Sequence, residues 1–170
     1  MSANFADWVA ICETKARYCR CLDTKDWAGY ADVFTEDLIL DTGPAGGYKV
    51  EGRDKAIRTV RSSVETAKTA HQVHNPEITF AADGLSADVI WAMSDRVIWG
   101  PERIPSMGNL GHTGYGHYRE HHVKCPDDTW RIKRLQLSYL IFDKIPLPAL
   151  RQWAPCLLSS EGLTVSRVNS

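Results

Sequence analysis

The spacing of the apolar residues changes at about residue 68, and this change constrains the fold more than any other feature of the sequence. Before it, apolar residues recur at helical spacing in three segments, 5–23, 27–34 and 54–67. After it, apolar and polar residues alternate in four long segments, 69–81, 86–100, 113–125 and 129–142. Helices followed by consecutive strands predict an α+β domain with a mainly antiparallel sheet.

The connections between the predicted strands support hairpins. Asp83-Gly84 and Pro126-Asp127-Asp128 are typical of tight turns, and 101–112 reads as a longer loop. A short further strand is predicted at 38–40. Because long sheets twist and curl, we expect the helices to cover a concave face and leave a cone with an interior, where a small molecule could bind.

Composition narrows the classes of function. A chain of 170 residues with 44% hydrophobic residues fits one domain with a sizeable core, and a net charge of −1 argues against a nucleic-acid or anionic-membrane partner. We find no apolar run of membrane-spanning length and no signal-peptide pattern at the N-terminus. The five cysteines include no CxxC pair, which favours reduced thiols and a cytoplasmic location.

His71 is the first candidate for chemistry. It lies on a predicted strand, where Thr69, His71 and Val73 share one face and the more polar Ala70, Gln72 and His74 share the other. His71 is therefore expected to point inward. Two roles are consistent with this position: a core histidine that donates to a backbone carbonyl, or a general base facing a cavity.

Asp23 follows the apolar residue Leu22 at the end of the first predicted helix. A carboxylate is disfavoured there by the helix dipole, so it either belongs to a solvated turn or has a specific partner. The functional interpretation makes that partner the Nδ1–H of His71. Such a bond fixes the tautomer and leaves Nε2 free to accept a proton.

Two further residues are candidates for the acidic part of the site. Asp95 falls within an apolar row of the strand 86–100, where burial favours the neutral carboxyl that a proton donor needs; a bulge at Ser94 would instead turn it toward water. Tyr18 precedes Asp23 by five residues and could reach the same cavity, or it could be a half-buried core residue.

The chain also carries a group of histidines that invites a metal interpretation. His112, His117, His121 and His122 lie close together in the sequence, but no carboxylate or cysteine stands at ligand spacing. We therefore predict no metal and no cofactor. Seven residues are expected to bind the substrate, chosen from the predicted inward faces. They are Leu22, Tyr30, Leu40, Trp91, Met93, Tyr118 and Tyr139.

Several short motifs resemble the SnoaL-like branch of the NTF2-like (cystatin-like) superfamily. They are Arg17-Tyr18 to Leu22-Asp23, Val33-Phe34-Thr35-Glu36-Asp37, Gly52-Arg53-Asp54, Thr69-Ala70-His71, Asn75-Pro76-Glu77-Ile78, Gly114-Tyr115-Gly116-His117-Tyr118 and Trp130-Arg131-Ile132. The resemblance implies an α+β cone over residues 1–145. Within the branch, the Asp23/His71 pair is similar to that of scytalone dehydratase, hexachlorocyclohexane dehydrochlorinase and bile acid 7α-dehydratase.

The resemblance implies a cofactor-free lyase that dehydrates a small hydrophobic, even polycyclic, alcohol. His71 would remove the proton, Asp23 would orient His71, and Asp95 or Tyr18 would assist the leaving hydroxyl. An isomerase or polyketide cyclase with the same acid–base site remains an alternative, and so does a non-catalytic ligand-binding or scaffold protein. Relatives are commonly homo-dimers or homo-trimers, and residues 146–170 could form an inter-subunit arm.

Overall fold

In the described part of the chain, a layer of helices packs on one face of a six-stranded sheet. The computed structural model describes residues 5–148. The helices are α1 (Phe5–Thr24), α2 (Trp27–Asp32), α3 (Arg53–Val64) and the short α4 (Ile104–Met107), with a 3₁₀ turn at Gly43–Ala45. The strands are β1 (Phe34–Asp41), β2 (Lys49–Glu51), β3 (Lys68–Phe80), β4 (Ser86–Ile98), β5 (Gly111–Lys124) and β6 (Trp130–Ile145). The predicted α+β class is confirmed.

The sheet has the strand order β2-β1-β6-β5-β4-β3. Strands β3 to β6 form an antiparallel meander, as the alternating segments and hairpin turns predict. Strand β1 instead joins β6 in parallel, and the short β2 pairs with β1 at the edge. This parallel pair was not predicted, because pairing between strands so distant in sequence leaves no local signal.

The start of β1 differs from the predicted helical segment 27–34 and the predicted short strand 38–40. The polar residues Thr35-Glu36-Asp37 between them belong to a strand that begins at Phe34. The register between β1 and β6 shifts between Phe34 and Ile39, so this polar segment forms an irregularity in the ladder. Asp37 there pairs with Lys133 at 2.9 Å. The prediction differed because polar residues are typical of turns as well as of bulges, and the sequence alone does not distinguish the two.

One irregularity of the long strands lies in β3, close to His71. The register of β3 against β4 shifts between His74 and Glu77, where Asn75 adopts a φ of 42°. Asparagine tolerates this left-handed conformation better than most residues. Strand β4, in contrast, alternates without a break, so no bulge at Ser94 turns Asp95 outward. Asp95 lies on the buried face.

The core lies between the helices and the concave face of the sheet. It includes Ile11 of α1, Tyr30 of α2, and Leu38, Trp130 and Ile132 of the sheet. None of the helices in residues 5–148 has the length and apolar composition needed to span a bilayer. The predicted inter-subunit arm at 146–170 lies almost entirely outside the described residues.

Candidate active site

Asp23 and His71 form a hydrogen-bonded pair at the point where α1 meets β3. The ring Nδ1 of His71 lies 2.6 Å from Oδ1 of Asp23, although 48 residues separate the two in sequence. The other carboxylate oxygen, Oδ2, accepts the backbone N–H of His71 at 2.8 Å. Asp23 therefore fixes both the backbone and the ring of His71.

The end of α1 explains how Asp23 reaches β3. Lys25 adopts a φ of 62°, which ends the helix directly after Thr24 and lets the N–H groups of Lys25 and Asp26 bond to the last carbonyls. Asp23 is thus held at the helix terminus rather than in a mobile turn. The unfavourable helix dipole is offset by the hydrogen bonds that Asp23 accepts from β3.

Thr69 supplies the third of these bonds. Its hydroxyl donates to Oδ1 of Asp23 at 2.8 Å and accepts from Lys25 Nζ at 2.9 Å. Burial alone would raise the pKa of Asp23, but the hydrogen bonds and charge of His71, with the Thr69 hydroxyl, outweigh it and lower that pKa. The carboxylate is therefore ionised near neutral pH and acts as an acceptor.

The ionised carboxylate determines the tautomer of His71. An acceptor at Nδ1 places the proton on that nitrogen and leaves the lone pair on Nε2. Within residues 5–148, Nε2 makes no hydrogen bond. The side chain is only 9% exposed and borders a cavity of about 200 Å³.

The cavity wall contains most of the residues predicted for the site. Tyr18, Leu22, Tyr30, Leu40, Tyr118 and Tyr139 line it together with His71 and Asp95. Further lining residues come from α3 and from the segment before it. They are Val60, Ser63, Val64, Thr42 and Tyr48.

Trp91 and Met93 require a correction, because they are not among the residues that line this cavity. Both side chains are 3% exposed and lie in the core. Trp91 donates its indole N–H to Oε2 of Glu120 at 2.9 Å, in the part of the sheet that α1 covers. Trp91 and Met93 lie on the same face of β4 as Asp95. Strand parity shows which face a residue occupies, but it does not show which part of that face borders a cavity.

The same face of β4 continues into the cavity beyond Asp95. Val97 and Trp99 line it there, and strand parity could have predicted both. His112 also lines the cavity, although its position reads as part of the loop 101–112; β5 in fact begins at Gly111. Only the pairing of His112 with Val97 brings this histidine to the site.

His71 and Asp95 belong to one row of residues across the sheet. His71 pairs with Asp95, Asp95 pairs with Gly114, and Gly114 pairs with Phe142. Directly opposed residues have Cβ atoms roughly 5 Å apart, so His71 and Asp95 are side by side on one wall. A single small molecule could contact both.

Tyr18 lies in a cluster of buried aromatic rings. Its ring centroid lies 5.2 Å from that of Tyr30 and 5.7 Å from that of Tyr118. Burial, with the nearby Tyr118 and Tyr30, raises the pKa of Tyr18 well above its usual value, so the phenol stays protonated. It can donate a hydrogen bond but not act as a base near neutral pH.

A buried ion pair packs against the rings of this cluster. The Nζ atom of Lys15 lies 2.5 Å from Oε1 of Glu120, and both side chains are fully buried. The same ammonium lies 3.7 Å from the ring centroid of Tyr18 and 3.6 Å from that of Tyr118. Burial would raise the pKa of Glu120, but Lys15 and His122 outweigh it and lower that pKa to about 2.

His121 and His122 occupy separate environments, although they are adjacent in the sequence. His122 is buried and bonds through Nε2 to Glu120 at 2.8 Å, whereas His121 faces outward and bonds to Asp88 at 2.8 Å. Within residues 5–148, no three histidine, cysteine, aspartate or glutamate side chains cluster closely enough to hold a metal ion.

A larger groove of about 570 Å³ lies away from this site. Its lining includes charged residues such as Asp88, Arg119 and Lys133 but not His71, whereas His71 lines the smaller cavity with Asp23 bonded behind it. We place the candidate site in the smaller cavity, because that cavity combines an apolar wall with convergent ionisable groups.

The sequence from residue 4 to residue 136 matches the model of the SnoaL-like domain family. This chain belongs to the SnoaL-like domain family. The match covers α1 to the middle of β6 and therefore includes Asp23, His71 and Asp95.

Solved structures share the architecture of this SnoaL-like domain. A candidate scytalone dehydratase from Novosphingobium aromaticivorans is 23% identical, with a TM-score of 0.71 over 85% of this chain and 95% of that one. A type 2 hexachlorocyclohexane dehydrochlorinase is 15% identical, with a TM-score of 0.71 over 83% and 90%. A candidate aromatic ring hydroxylase from Novosphingobium aromaticivorans is 20% identical, with a TM-score of 0.70 over 83% and 94%. At these identities the likeness shows the fold, and the chemistry has to be argued from the site.

Proposed function

We propose that this SnoaL-like domain is a cofactor-independent lyase that removes water from a small hydrophobic alcohol. His71 is the general base and accepts a proton from carbon at Nε2. Asp23 orients the ring and stabilises the imidazolium that forms. The observation that carries the proposal is the 2.6 Å contact between Asp23 and Nδ1 of His71, which leaves Nε2 unbonded at the cavity wall.

The surroundings of His71 support base chemistry. The cavity is lined mainly by aromatic and aliphatic side chains, which exclude water and strengthen the attraction between imidazolium and carboxylate. Imidazole is too weak a base for an ordinary C–H bond, so the substrate carries an activating carbonyl next to the carbon that loses the proton. A donor for the leaving hydroxyl must line the same cavity, as Asp95 and Tyr18 both do.

The size of the cavity limits the substrate. Sites for drug-sized ligands measure roughly 300–1,000 Å³, whereas this cavity measures about 200 Å³. We therefore favour substrates of one or two rings over larger polycyclic compounds. A β-hydroxy ketone on a ring of that size combines the apolar surface, the activating carbonyl and the leaving group.

A mass-spectrometric screen tests the proposal directly. The protein is incubated with a panel of one- and two-ring β-hydroxy ketones, and products are examined for the loss of one water molecule. His71→Ala should reduce turnover of any substrate found by about 10²-fold or more, because it removes the base. His121→Ala is the matched control, since His121 bonds to Asp88 on the outer face and should leave turnover unchanged.

The same screen separates the alternatives. A product of unchanged mass that forms only with intact His71 identifies an isomerase or cyclase that uses the same base. Equal turnover by the wild type and His71→Ala rejects acid–base catalysis by His71. Binding of panel compounds without any product would favour a ligand-binding role.

A further inference from the structure

Lys25 adopts a backbone conformation that favours glycine, with a φ of 62° directly after the end of α1. Its N–H bonds back to the carbonyl oxygen of Leu22 at 3.3 Å. The next N–H, of Asp26, bonds to the carbonyl oxygen of Cys21 at 2.9 Å. This pair of bonds is the Schellman pattern, in which the left-handed residue is usually glycine because a Cβ atom is unfavourable there. A lysine at this position indicates that its side chain has a role that offsets the backbone strain.

The side chain of Lys25 turns back toward the active-site pair. Its Nζ donates to the carbonyl oxygen of Leu22 at 3.2 Å and to the hydroxyl oxygen of Thr69 at 2.9 Å. The hydroxyl of Thr69 donates in turn to Oδ1 of Asp23 at 2.8 Å, and the same oxygen lies 2.6 Å from Nδ1 of His71. Four side chains therefore form one continuous chain of hydrogen bonds, from an ammonium group to the imidazole.

The ammonium group gives this chain a fixed direction. An ammonium only donates hydrogen bonds, so the oxygen of Thr69 accepts from Lys25 and its single hydrogen is left for Asp23. Oδ1 of Asp23 then receives hydrogens from both Thr69 and His71. Without Lys25, the hydroxyl of Thr69 would be free to rotate and direct its hydrogen elsewhere. With Lys25 in place, Asp23 stays an acceptor and the proton stays on Nδ1 of His71.

The charge of Lys25 acts in the same direction. Burial lowers the pKa of Lys25, and the charges of Asp23 and Glu65 oppose this change. Glu65 is exposed and already pairs with Arg61, so Asp23 is the carboxylate that the hydrogen-bond chain joins to the ammonium. A cation linked to Asp23 through one hydroxyl group favours the ionised carboxylate.

We propose that Lys25 is a positioning residue of the active site, which acts through Thr69 to hold Asp23 as the hydrogen-bond acceptor of His71. Its role in turnover rests on the proposed lyase function, whereas the hydrogen-bond chain can be tested without any substrate. Lys25 does not line the cavity and acts on the base from behind. The end of α1 therefore carries backbone strain at the residue that orients the base.

The proton on Nδ1 of His71 provides the measurement. A proton that a histidine shares with a carboxylate resonates far downfield in the NMR spectrum, and it exchanges with water more slowly when the hydrogen bond is better held. Its absence in His71→Ala assigns the signal. In Lys25→Gly the exchange should be about fivefold faster, a change of the size expected for the loss of one hydrogen bond.

Three further variants serve as controls. Lys25→Arg keeps a donor-only cation and should exchange at close to the wild-type rate. Lys68→Met removes an exposed cation next to Thr69 and should leave the rate unchanged. Lys25→Met loses the ammonium but keeps the strain, so Lys25→Gly should melt about 3 °C above it. Both should show the same faster exchange, whereas a merely structural defect would make exchange follow stability.

The outcomes separate this inference from the lyase proposal. A wild-type exchange rate in Lys25→Gly, or exchange as fast as in that variant in Lys25→Arg or Lys68→Met, would overturn the positioning role. A wild type without the downfield proton would overturn the pair of Asp23 and His71 and this inference with it. Exchange that depends on Lys25, with no dehydration of any panel compound, would keep the positioning role and reject the lyase.

A substrate found in the panel adds a kinetic test. Lys25→Gly should lower kcat about fivefold and leave KM unchanged, because Lys25 orients the base without lining the cavity. An unchanged kcat would overturn the role of Lys25 in turnover.

Discussion

Asp23 holds His71 at two points, through the ring Nδ1 at 2.6 Å and through the backbone N–H at 2.8 Å. The two bonds use different oxygens of one carboxylate, so the carboxylate plane and the imidazole ring orient each other. A core histidine whose ring donates to a backbone carbonyl would lack the bond between the ring and Asp23. The arrangement leaves one nitrogen of His71 free to accept a proton.

Asp23→Asn should alter the tautomer of His71. The carboxylate only accepts hydrogen bonds, whereas the amide group of asparagine can also donate and so stabilise the tautomer with a bare Nδ1. Nitrogen-15 NMR of the imidazole should show a protonated Nδ1 in the wild type and a larger share of the other tautomer in the variant. The same spectrum in both proteins would contradict the assigned role of Asp23. His121 provides an internal reference that should not shift.

Thr69→Val should destabilise the pair, because it removes the hydroxyl that donates to Asp23 and accepts from Lys25. We expect a loss of about 1 kcal/mol in the free energy of unfolding. Thr69→Ser retains the hydroxyl and should stay close to the wild type. Urea denaturation of the three proteins measures the difference, and a loss seen in Thr69→Ser but not in Thr69→Val would show that the methyl group, not the hydroxyl, matters.

Lys15→Met should be one of the more destabilising substitutions in the core. It leaves the carboxylate of Glu120 buried without its cation, which costs about 3–5 kcal/mol in other proteins. The double variant Lys15→Met/Glu120→Gln should recover much of this loss, because the amide keeps an acceptor for Trp91 without a charge. Denaturation curves decide between the outcomes. A double variant no more stable than the single one would mean that the charge is not the cause.

The stability of the fold should depend on pH through Glu120. Its pKa is about 2 in the folded protein against an ordinary value of 4.5. A lowered pKa means that the contribution is fully present above about pH 4.5 and is lost as the pH falls toward 2. The free energy of unfolding should therefore fall through this window. The double variant without the charged pair should show a shallower decline, and an equal decline would assign the effect to other carboxylates such as Asp23.

The sequence predicted the residue types of the site better than their arrangement. Strand parity placed His71 and Asp95 on inward faces, because successive side chains of a strand must point to opposite sides. The same rule placed Trp91 and Met93 with them, although both are buried in the core and do not line the cavity. Parity fixes the face of a residue but carries no information about what lies above it.

The sequence by itself determined the helices α1, α2 and α3 and the antiparallel strands that follow residue 68, because spacing and turn chemistry act locally. Only the tertiary structure decided that His71, Asp95 and Gly114 share one row, that Thr69 links Lys25 to Asp23, and that His112 belongs to the site. These relations depend on the register between neighbouring strands. That register is set jointly by the turn lengths, the bulge at Asn75 and the packing of α1. Contacts that arise from several distant segments at once have no local signature in the chain.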